Sequence, residues 1–361
     1  MQTGERHAVT TSVCQVFQQL GEDLIPPDLL EAAAVHLADI RERNEVLTGA
    51  LIEIVTALEA QGYPAIPFKG PLVAQIGYGD VGLRRFRDLD ILMLSEHALA
   101  AEKIFNELGF EQMLIGREES MTPAQAAAYR RYSGQDLLHR ATDNVAIEPH
   151  WSFAPSTIAF DLDYPAMWSR AVRVELFGRE VSCLERTDLV IMLCLHGSKE
   201  KWVRLQWIGD LARTLAASPD LDWDELLRRA GAQGCRRMVL LGLALIAEVA
   251  GMELPASVAA EVARDGKVAE LVAGIVPRLF DTSYEETSVY ELNRFHWDMR
   301  ERLRDRLAYV WRTLVTPRHT HYQIVKLPDA LFVGYYPVKV VHDFLLLPLW
   351  RLLRPLVKRE T

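Results

Sequence analysis

The segment FKGPLVAQIGYGDVGLRRFRDLDILML, residues 68–94, joins a glycine turn, a helical pattern and an apolar strand pattern. Pro71 suits the first turn of a helix, because its missing N–H needs no partner there. Residues 88–94 lead from two aspartates into a continuous apolar run. Such a run is typical of a buried strand whose polar start reaches the sheet edge. The segment therefore predicts a turn, a short helix and a buried strand.

Two carboxylates stand at the head of that strand. Asp88 and Asp90 are two residues apart, and alternate residues of a strand share a face. Like charges so close repel each other, and a bridging divalent cation removes the repulsion. Magnesium prefers one or two carboxylates together with waters and phosphate oxygens. The pair predicts a Mg²⁺ (or Mn²⁺) site that supports in-line phosphoryl chemistry.

A third carboxylate is expected from a neighbouring strand. The stretch QDLLHRATDNVAIEPHW, residues 135–151, indicates two strands joined around Asp143-Asn144, residues that tolerate tight turns. On the second strand Glu148 and His150 share a face. Glu148 is therefore the predicted third metal-binding and catalytic residue, although it also fits an exposed strand position. His150 fits either the wall of a substrate pocket or packing behind the sheet.

The turn before the helix is a candidate phosphate-binding element. Backbone N–H groups at a helix start attract phosphate, and Gly70 allows close approach. Lys69 adds a positive charge, and Arg84 precedes Asp88 closely enough to neutralise a triphosphate or to pair with the aspartates. Each of the three also fits a plainer role, as a solvated helix start, a turn residue or part of a charged loop.

Helical patterns dominate the rest of the chain. Apolar residues recur every three or four positions over residues 24–60, which predicts two opening helices. Beyond Thr187 the strand patterns largely stop, and residues 188–217 indicate two helices bent at Gly197-Ser198. We therefore expect an α+β protein: a small mixed-sheet α/β core (61–186), an N-terminal helical segment (1–60) and a C-terminal helical region (187–361).

Two residues of the helical region are further candidates for a substrate pocket. His196, with lysines close by in the sequence, fits contact with a second substrate or an ordinary contact between helices. Arg204 fits the same pocket or a plain salt bridge with Asp210. Exposed pairs of that kind contribute little stability.

Composition limits the partners. The formal net charge of -9 argues against a general grip on long nucleic acid, because phosphate binding relies on a surplus of Lys and Arg. The four cysteines are widely spaced and form no zinc or disulfide pattern, which favours a reducing cytoplasm.

Residues 333–359 combine a strongly apolar body with five basic residues, which suggests contact with a membrane surface. Core packing or a homodimer contact explains that stretch as well.

Several of these residues together resemble the uncharacterised nucleotidyltransferase family of the DNA-polymerase-β-like superfamily. The matching positions, in order, are Lys69, Gly70, Arg84, Asp88, Asp90, Glu148, His150 and Trp151. A second stretch, HGSKEKWVRLQWIGDLARTL (196–215), resembles the helical region of the family, so the likeness spans about residues 47–217. Lys-Gly stands here where the broader superfamily has Gly-Ser, and Glu148 stands where Asp is commoner.

The resemblance implies transfer of a nucleoside monophosphate from an NTP, with ATP as the default, to an unidentified hydroxyl or phosphate acceptor. A small molecule or a protein is favoured as acceptor over long nucleic acid. Two alternatives stay open. One is a catalytically weak or inactive nucleotide-binding protein, antitoxin-like or accessory to a biosynthetic cluster. The other is an assembly protein at the membrane surface.

Overall fold

The computed structural model describes residues 2–113, 121–158, 160–281 and 287–348 and shows an α+β protein. The strands are β1 (Ala65–Pro67), β2 (Asp88–Met93), β3 (Glu111–Gln112), β4 (Leu138–Arg140), β5 (Val145–His150), β6 (Val172–Leu176) and β7 (Arg179–Cys183). The first helices are α1 (Gln2–His7), α2 (Thr10–Leu20), α3 (Pro27–Ala60), α4 (Pro71–Val73), α5 (Ala98–Glu107), α6 (Pro123–Ser133) and α7 (Tyr164–Ser169). Those that follow are α8 (Arg186–Lys199), α9 (Leu205–Ala216), α10 (Trp223–Ala232), α11 (Arg236–Ala250), α12 (Ala256–Arg264), α13 (Gly266–Phe280), α14 (Val289–Met299), α15 (Leu303–Val315), α16 (His319–Ile324) and α17 (Tyr335–Val341).

Five strands form one mixed sheet in the order β1-β2-β5-β4-β3. Strands β2 and β5 run parallel, and their register sets Asp90 opposite Glu148. The predicted hairpin is confirmed: β4 and β5 pair antiparallel around a turn in which Asn144 takes a φ of 58°. The sheet therefore brings the two acidic segments of the sequence side by side.

The two faces of β2 enter different cores. Leu89, Ile91 and Met93 pack in a cluster with the C-terminal half of α3. Leu92, two residues beyond Asp90, packs in a second cluster with α8, α9 and α11. Because strand side chains alternate, Asp88 and Asp90 face the side that carries the helical half.

The opening helices differ from the expectation. Residues 24–60 are not two helices, because a single helix of 34 residues runs from Pro27 to Ala60, and the shorter α1 and α2 precede it. Gly49 lies inside α3 without breaking it. Leu47, Leu51, Ile54 and Leu58 are fully buried along α3 at helical spacing, so tertiary packing stabilises its length.

The predicted bend at Gly197-Ser198 is also wrong. Helix α8 continues through both residues to Lys199, and the chain turns over residues 200–204, where Lys201 and Trp202 both have a φ of 55°. The Trp202 ring lies 2.5 Å from the position that a Cβ of residue 197 would take. Trp202 Nε1 donates a hydrogen bond to Ser198 Oγ. Glycine at 197 thus serves close ring packing.

No helix within the described ranges is long and apolar enough to cross a membrane. The part of the predicted apolar, basic tail after residue 348 lies outside those ranges.

Candidate active site

A cleft of about 170 Å³ opens beside the start of β2, between the turn after β1 and helices α8 and α9. It brings together residues from four separate stretches of the sequence. The candidates named from the sequence that line it are Lys69, Gly70, Arg84, Asp88, Asp90, His196 and Arg204. From the neighbouring strand β5, His150 contacts Asp90 directly, and Glu148 lies within 4.8 Å of it.

The turn at Gly70 requires glycine. Its φ of 51° and ψ of −121° lie in a region that other residues rarely adopt. A Cβ at this position would lie 3.3 Å from the Asp88 carbonyl oxygen. The turn can therefore lie directly against β2, which places Lys69 over the carboxylates.

Lys69, Asp90 and His150 form a buried charged network. Lys69 Nζ lies 2.5 Å from Asp90 Oδ1, and His150 Nε2 lies 3.0 Å from the same oxygen. Although burial opposes ionisation, Lys69 and His150 hold the pKa of Asp90 well below its usual range. Burial likewise opposes the charge on Lys69, but the neighbouring carboxylates keep its pKa raised. Asp90 is therefore ionised and Lys69 cationic at neutral pH.

Glu148 is fixed by two neighbours. Gln135 Nε2 donates a 2.8 Å hydrogen bond to Glu148 Oε2, and His150 Nε2 lies 3.3 Å from the same oxygen. Hydrogen bonds to Asp90 and Glu148 raise the pKa of His150 against the opposing effect of its complete burial. His150 therefore links the carboxylates of two strands and packs edge-on against Phe68.

Asp88 is the carboxylate without a partner. Among the described residues, no side chain donates a hydrogen bond to it or forms an ion pair with it. Burial, followed by the negative charges of Asp90 and Glu148, raises its pKa to about 6. A positive charge placed beside Asp88 would relieve this penalty.

These groups fit a divalent cation. One ligand atom each from Asp90, Glu148 and His150 lies within 4.8 Å of the other two. Asp88 adds an unpaired carboxylate from the face of β2 that also carries Asp90. Carboxylate oxygens are the donors that Mg²⁺ and Mn²⁺ prefer.

Arg84 has a defined partner in the helical half. Its Nε and Nη2 donate to the two oxygens of Asp210 at 2.7 and 2.8 Å, and Tyr78 donates to the same carboxylate at 2.8 Å. The suggested Arg204–Asp210 bridge is therefore wrong. The Arg204 guanidinium instead lies 5.6 Å from the centre of the Trp207 ring. Asp210 thus anchors the loop before β2 to helix α9.

His196 lies in the cleft as a neutral imidazole. Burial, followed by the positive charge of Lys69, lowers its pKa well below the usual value. Its ring packs edge-on against Trp207, with ring centres 5.2 Å apart. An uncharged imidazole thus lies beside an aromatic ring in this part of the cleft.

The N-terminal helix contributes to the cleft, which sequence patterns did not indicate. Glu5 and Ala8 line it, and the Glu5 carboxylate lies 2.5 Å from Arg85 Nη1. His7 is fully buried and accepts a hydrogen bond from the Leu205 amide. Nothing in the first 20 residues resembles a site motif, so only the tertiary structure reveals this wall.

A model of the family described as uncharacterised nucleotidyltransferase matches residues 1–251. No curated protein matches the sequence. The solution structure of the antibiotic-resistance factor ANT(2'')-Ia is similar over 52% of this chain and 91% of that chain, with 13% identity and a TM-score of 0.35. A crystal structure of ANT(2'')-Ia in complex with adenylyl-2''-tobramycin gives 16% identity, a TM-score of 0.34 and coverage of 51% and 95%. The family match covers 251 of the 361 residues, which is more than half of the chain.

Proposed function

Because the chain belongs to the uncharacterised nucleotidyltransferase family, we propose that it is a metal-dependent enzyme that transfers a nucleoside monophosphate from an NTP to an acceptor. The observation that carries the proposal is the cleft in which Lys69, Asp88 and Asp90 meet, with Glu148 paired to Asp90 in register. Three carboxylates under one lysine suit phosphoryl chemistry better than a structural role, since Asp88 has no side-chain partner among the described residues, at a cost in stability.

Asp88, Asp90 and Glu148 are the residues that would hold Mg²⁺ or Mn²⁺. A bound ion would supply charge neutralisation at the phosphates and polarise the phosphorus that is attacked. Lys69 and the Gly70 amide then hold the triphosphate. Lys69 exchanges its contact with Asp90 for a phosphate oxygen, which its flexible side chain allows.

The reaction makes one bond and breaks one. An acceptor oxygen attacks the α-phosphorus, the bond to the oxygen that bridges to the β-phosphate breaks, and pyrophosphate leaves. Glu148, which is partly exposed and oriented by Gln135, takes the proton of an acceptor hydroxyl. His150 keeps Asp90 ionised through its hydrogen bond.

Arg84 takes a positioning role in this proposal. Two of its donors are directed to Asp210, so it holds the loop that leads into Asp88. Arg87 lines the same cleft and is exposed, so its side chain can reach a phosphate. We assign triphosphate contact to Arg87 beside Lys69, and acceptor contact to His196 and Arg204.

ATP is the proposed donor, and a small molecule or a protein the proposed acceptor. We place the reaction in the cytoplasm, where ATP is abundant and where the buried thiols remain reduced.

One observation favours a second candidate function, nucleotide binding without turnover. The Lys69–Asp90 ion pair neutralises a carboxylate that a metal ion would need. In such a protein a nucleotide would bind at Lys69 and the pair would persist.

The test is incubation with each α-labelled NTP, Mg²⁺ or Mn²⁺, and cell extract. The variant is Asp88→Ala/Asp90→Ala, and the matched control is Asp161→Ala/Asp220→Ala, two exposed aspartates outside the cleft. Label transferred by the wild type and the control, but not by the variant, supports the enzyme. Nucleotide binding without transfer under every condition supports the second candidate.

A further inference from the structure

The C-terminal part of the chain differs sharply in charge from the rest. Residues 300–361 contain 12 Lys and Arg against 5 Asp and Glu, a formal charge of +7. Because the whole chain carries -9, residues 1–299 carry -16. Such an asymmetry is typical of proteins that bind an anionic surface with one end.

Helix α15 leaves an apolar stripe exposed. Leu303, Leu307 and Trp311 recur at four-residue intervals, so they lie on one face of the helix, and their exposed fractions are 65%, 56% and 66%. A helix that packs in a core normally buries such a stripe. Arg304, on the same helix, is 70% exposed and supplies a cation near the stripe.

A second stripe follows on a helix that packs against α15. Val340, Phe344 and Leu345 lie on α17 and the turn of π-helix at residues 342–346, and all three are exposed. In the sequence alone, residues 349–361, LWRLLRPLVKRET, hold four basic residues among apolar ones. We name the six exposed residues Leu303, Leu307, Trp311, Val340, Phe344 and Leu345 the C-terminal apolar face.

Charge decides which partner this face fits. A second copy docked through the same face would bring two segments of charge +7 together, which costs free energy. Arg300 and Lys339 are buried, so the cations that an anionic bilayer attracts are the exposed ones, such as Arg304. The bilayer also accepts the apolar side chains below its headgroups. Trp311 and Tyr336 are both exposed, and Trp and Tyr are enriched at the membrane–water interface. No helix in the described ranges is long enough to span, so the face suits a helix pair that lies on the surface.

We propose that the C-terminal apolar face binds the surface of a bilayer that contains anionic lipids. This contact is separate from nucleotidyl transfer, since the face lies outside the residues that line the cleft.

The test is co-sedimentation of the full chain with vesicles of phosphatidylcholine alone or mixed with phosphatidylglycerol. We expect binding to the anionic vesicles that weakens as salt rises from about 0.01 to about 1 M, because the Debye length shortens from about 30 to about 3 Å. Leu307→Glu/Leu345→Glu should lower the bound fraction at least about tenfold, since acidic side chains are excluded from apolar lipid.

The matched control is Leu24→Glu/Val35→Glu, with exposed fractions of 69% and 56% against 56% and 64% for Leu307 and Leu345. It should bind as the wild type does. Equal binding by both double variants, or a wild type that stays in the supernatant, overturns the proposal. The proposal is also overturned if the wild type forms a dimer and binds no vesicles, and if Leu307→Glu/Leu345→Glu makes that dimer dissociate. The face would then belong to a contact with a second copy. If Leu307→Glu/Leu345→Glu does not fold, Arg304→Glu takes its place. Loss of vesicle binding in Arg304→Glu supports the proposal, and vesicle binding that neither this substitution nor salt changes overturns it.

Discussion

Arg84 and Asp210, 126 residues apart in the chain, form a buried two-point ion pair that joins the loop before β2 to helix α9. Tyr78 donates to the same carboxylate, so three elements meet at one aspartate. The pair lies at the edge of the cleft that holds Asp88 and Asp90. The positions of the β2 carboxylates relative to α9 thus depend on this pair.

Loss of Arg84 should destabilise the fold. Arg84→Met leaves the Asp210 charge buried and without its main partner, which costs about 3–5 kcal/mol. Urea unfolding measures the change. Arg228→Met is the control, because Arg228 is exposed and pairs with Glu225 on the surface, where about 0–1 kcal/mol is expected. Equal stability of the two variants would contradict an anchoring role for Arg84.

A methyl group at Gly70 should damage both the fold and the site. Gly70→Ala combines a strained φ of 51° with a contact of 3.3 Å to the Asp88 carbonyl, so we expect a loss of roughly 1–3 kcal/mol and reduced nucleotide binding. Gly62→Ala has a φ of 78° and nothing within 4 Å of the added carbon. Calorimetry of nucleotide binding should show a defect in Gly70→Ala only. A matching defect in Gly62→Ala would remove the special role of the turn.

Gly197 and Gly49 are both helical but should respond in opposite directions. Gly197→Ala drives a carbon into the Trp202 ring, which costs about 1–3 kcal/mol as overpacking. Gly49→Ala meets nothing within 4 Å and should gain up to about 1 kcal/mol from helix propensity. Thermal melts of the two variants measure the difference. A neutral Gly197→Ala would mean that the ring packs elsewhere.

The stability of the protein should fall between pH 6.5 and 4 partly through His296. Burial, followed by the positive charge of Arg300, lowers the pKa of His296 to about 4. The unfolded chain takes up this proton near pH 6.5 and the folded chain only near pH 4, so acid favours unfolding by up to about 3 kcal/mol. His296→Gln keeps a donor for the Lys199 carbonyl without this titration. Its unfolding free energy should depend less on pH than that of the wild type; identical pH profiles would refute the assignment.

Local patterns predicted the parts of the site that are local in sequence. The positions of Asp88 and Asp90 at the head of a strand and the hairpin that presents Glu148 follow from strand alternation and turn chemistry. The sequence therefore predicted correctly that Asp88 and Asp90 lie on one strand and Glu148 on another.

Contacts between distant segments were not predictable from these patterns. The Arg84–Asp210 pair and the Glu5–Arg85 pair join residues 126 and 80 positions apart. The low helix propensity of glycine predicts a break at Gly197. Packing of the Trp202 ring against this position outweighs that weak preference, and the helix continues. The length of α3 does not follow from helix propensity, because packing against α2, the loop before β2 and the sheet decides it.

Nucleotidyl transfer is proposed to occur at the carboxylates of β2. The most direct measurement is transfer of label from α-labelled ATP in the presence of Mg²⁺ by the wild type, by Asp90→Asn and by Asp80→Asn, an aspartate that pairs with Arg41 on the surface. We expect transfer by the wild type and by Asp80→Asn, and a loss of at least about 100-fold in Asp90→Asn. Transfer that persists in folded Asp90→Asn would contradict it.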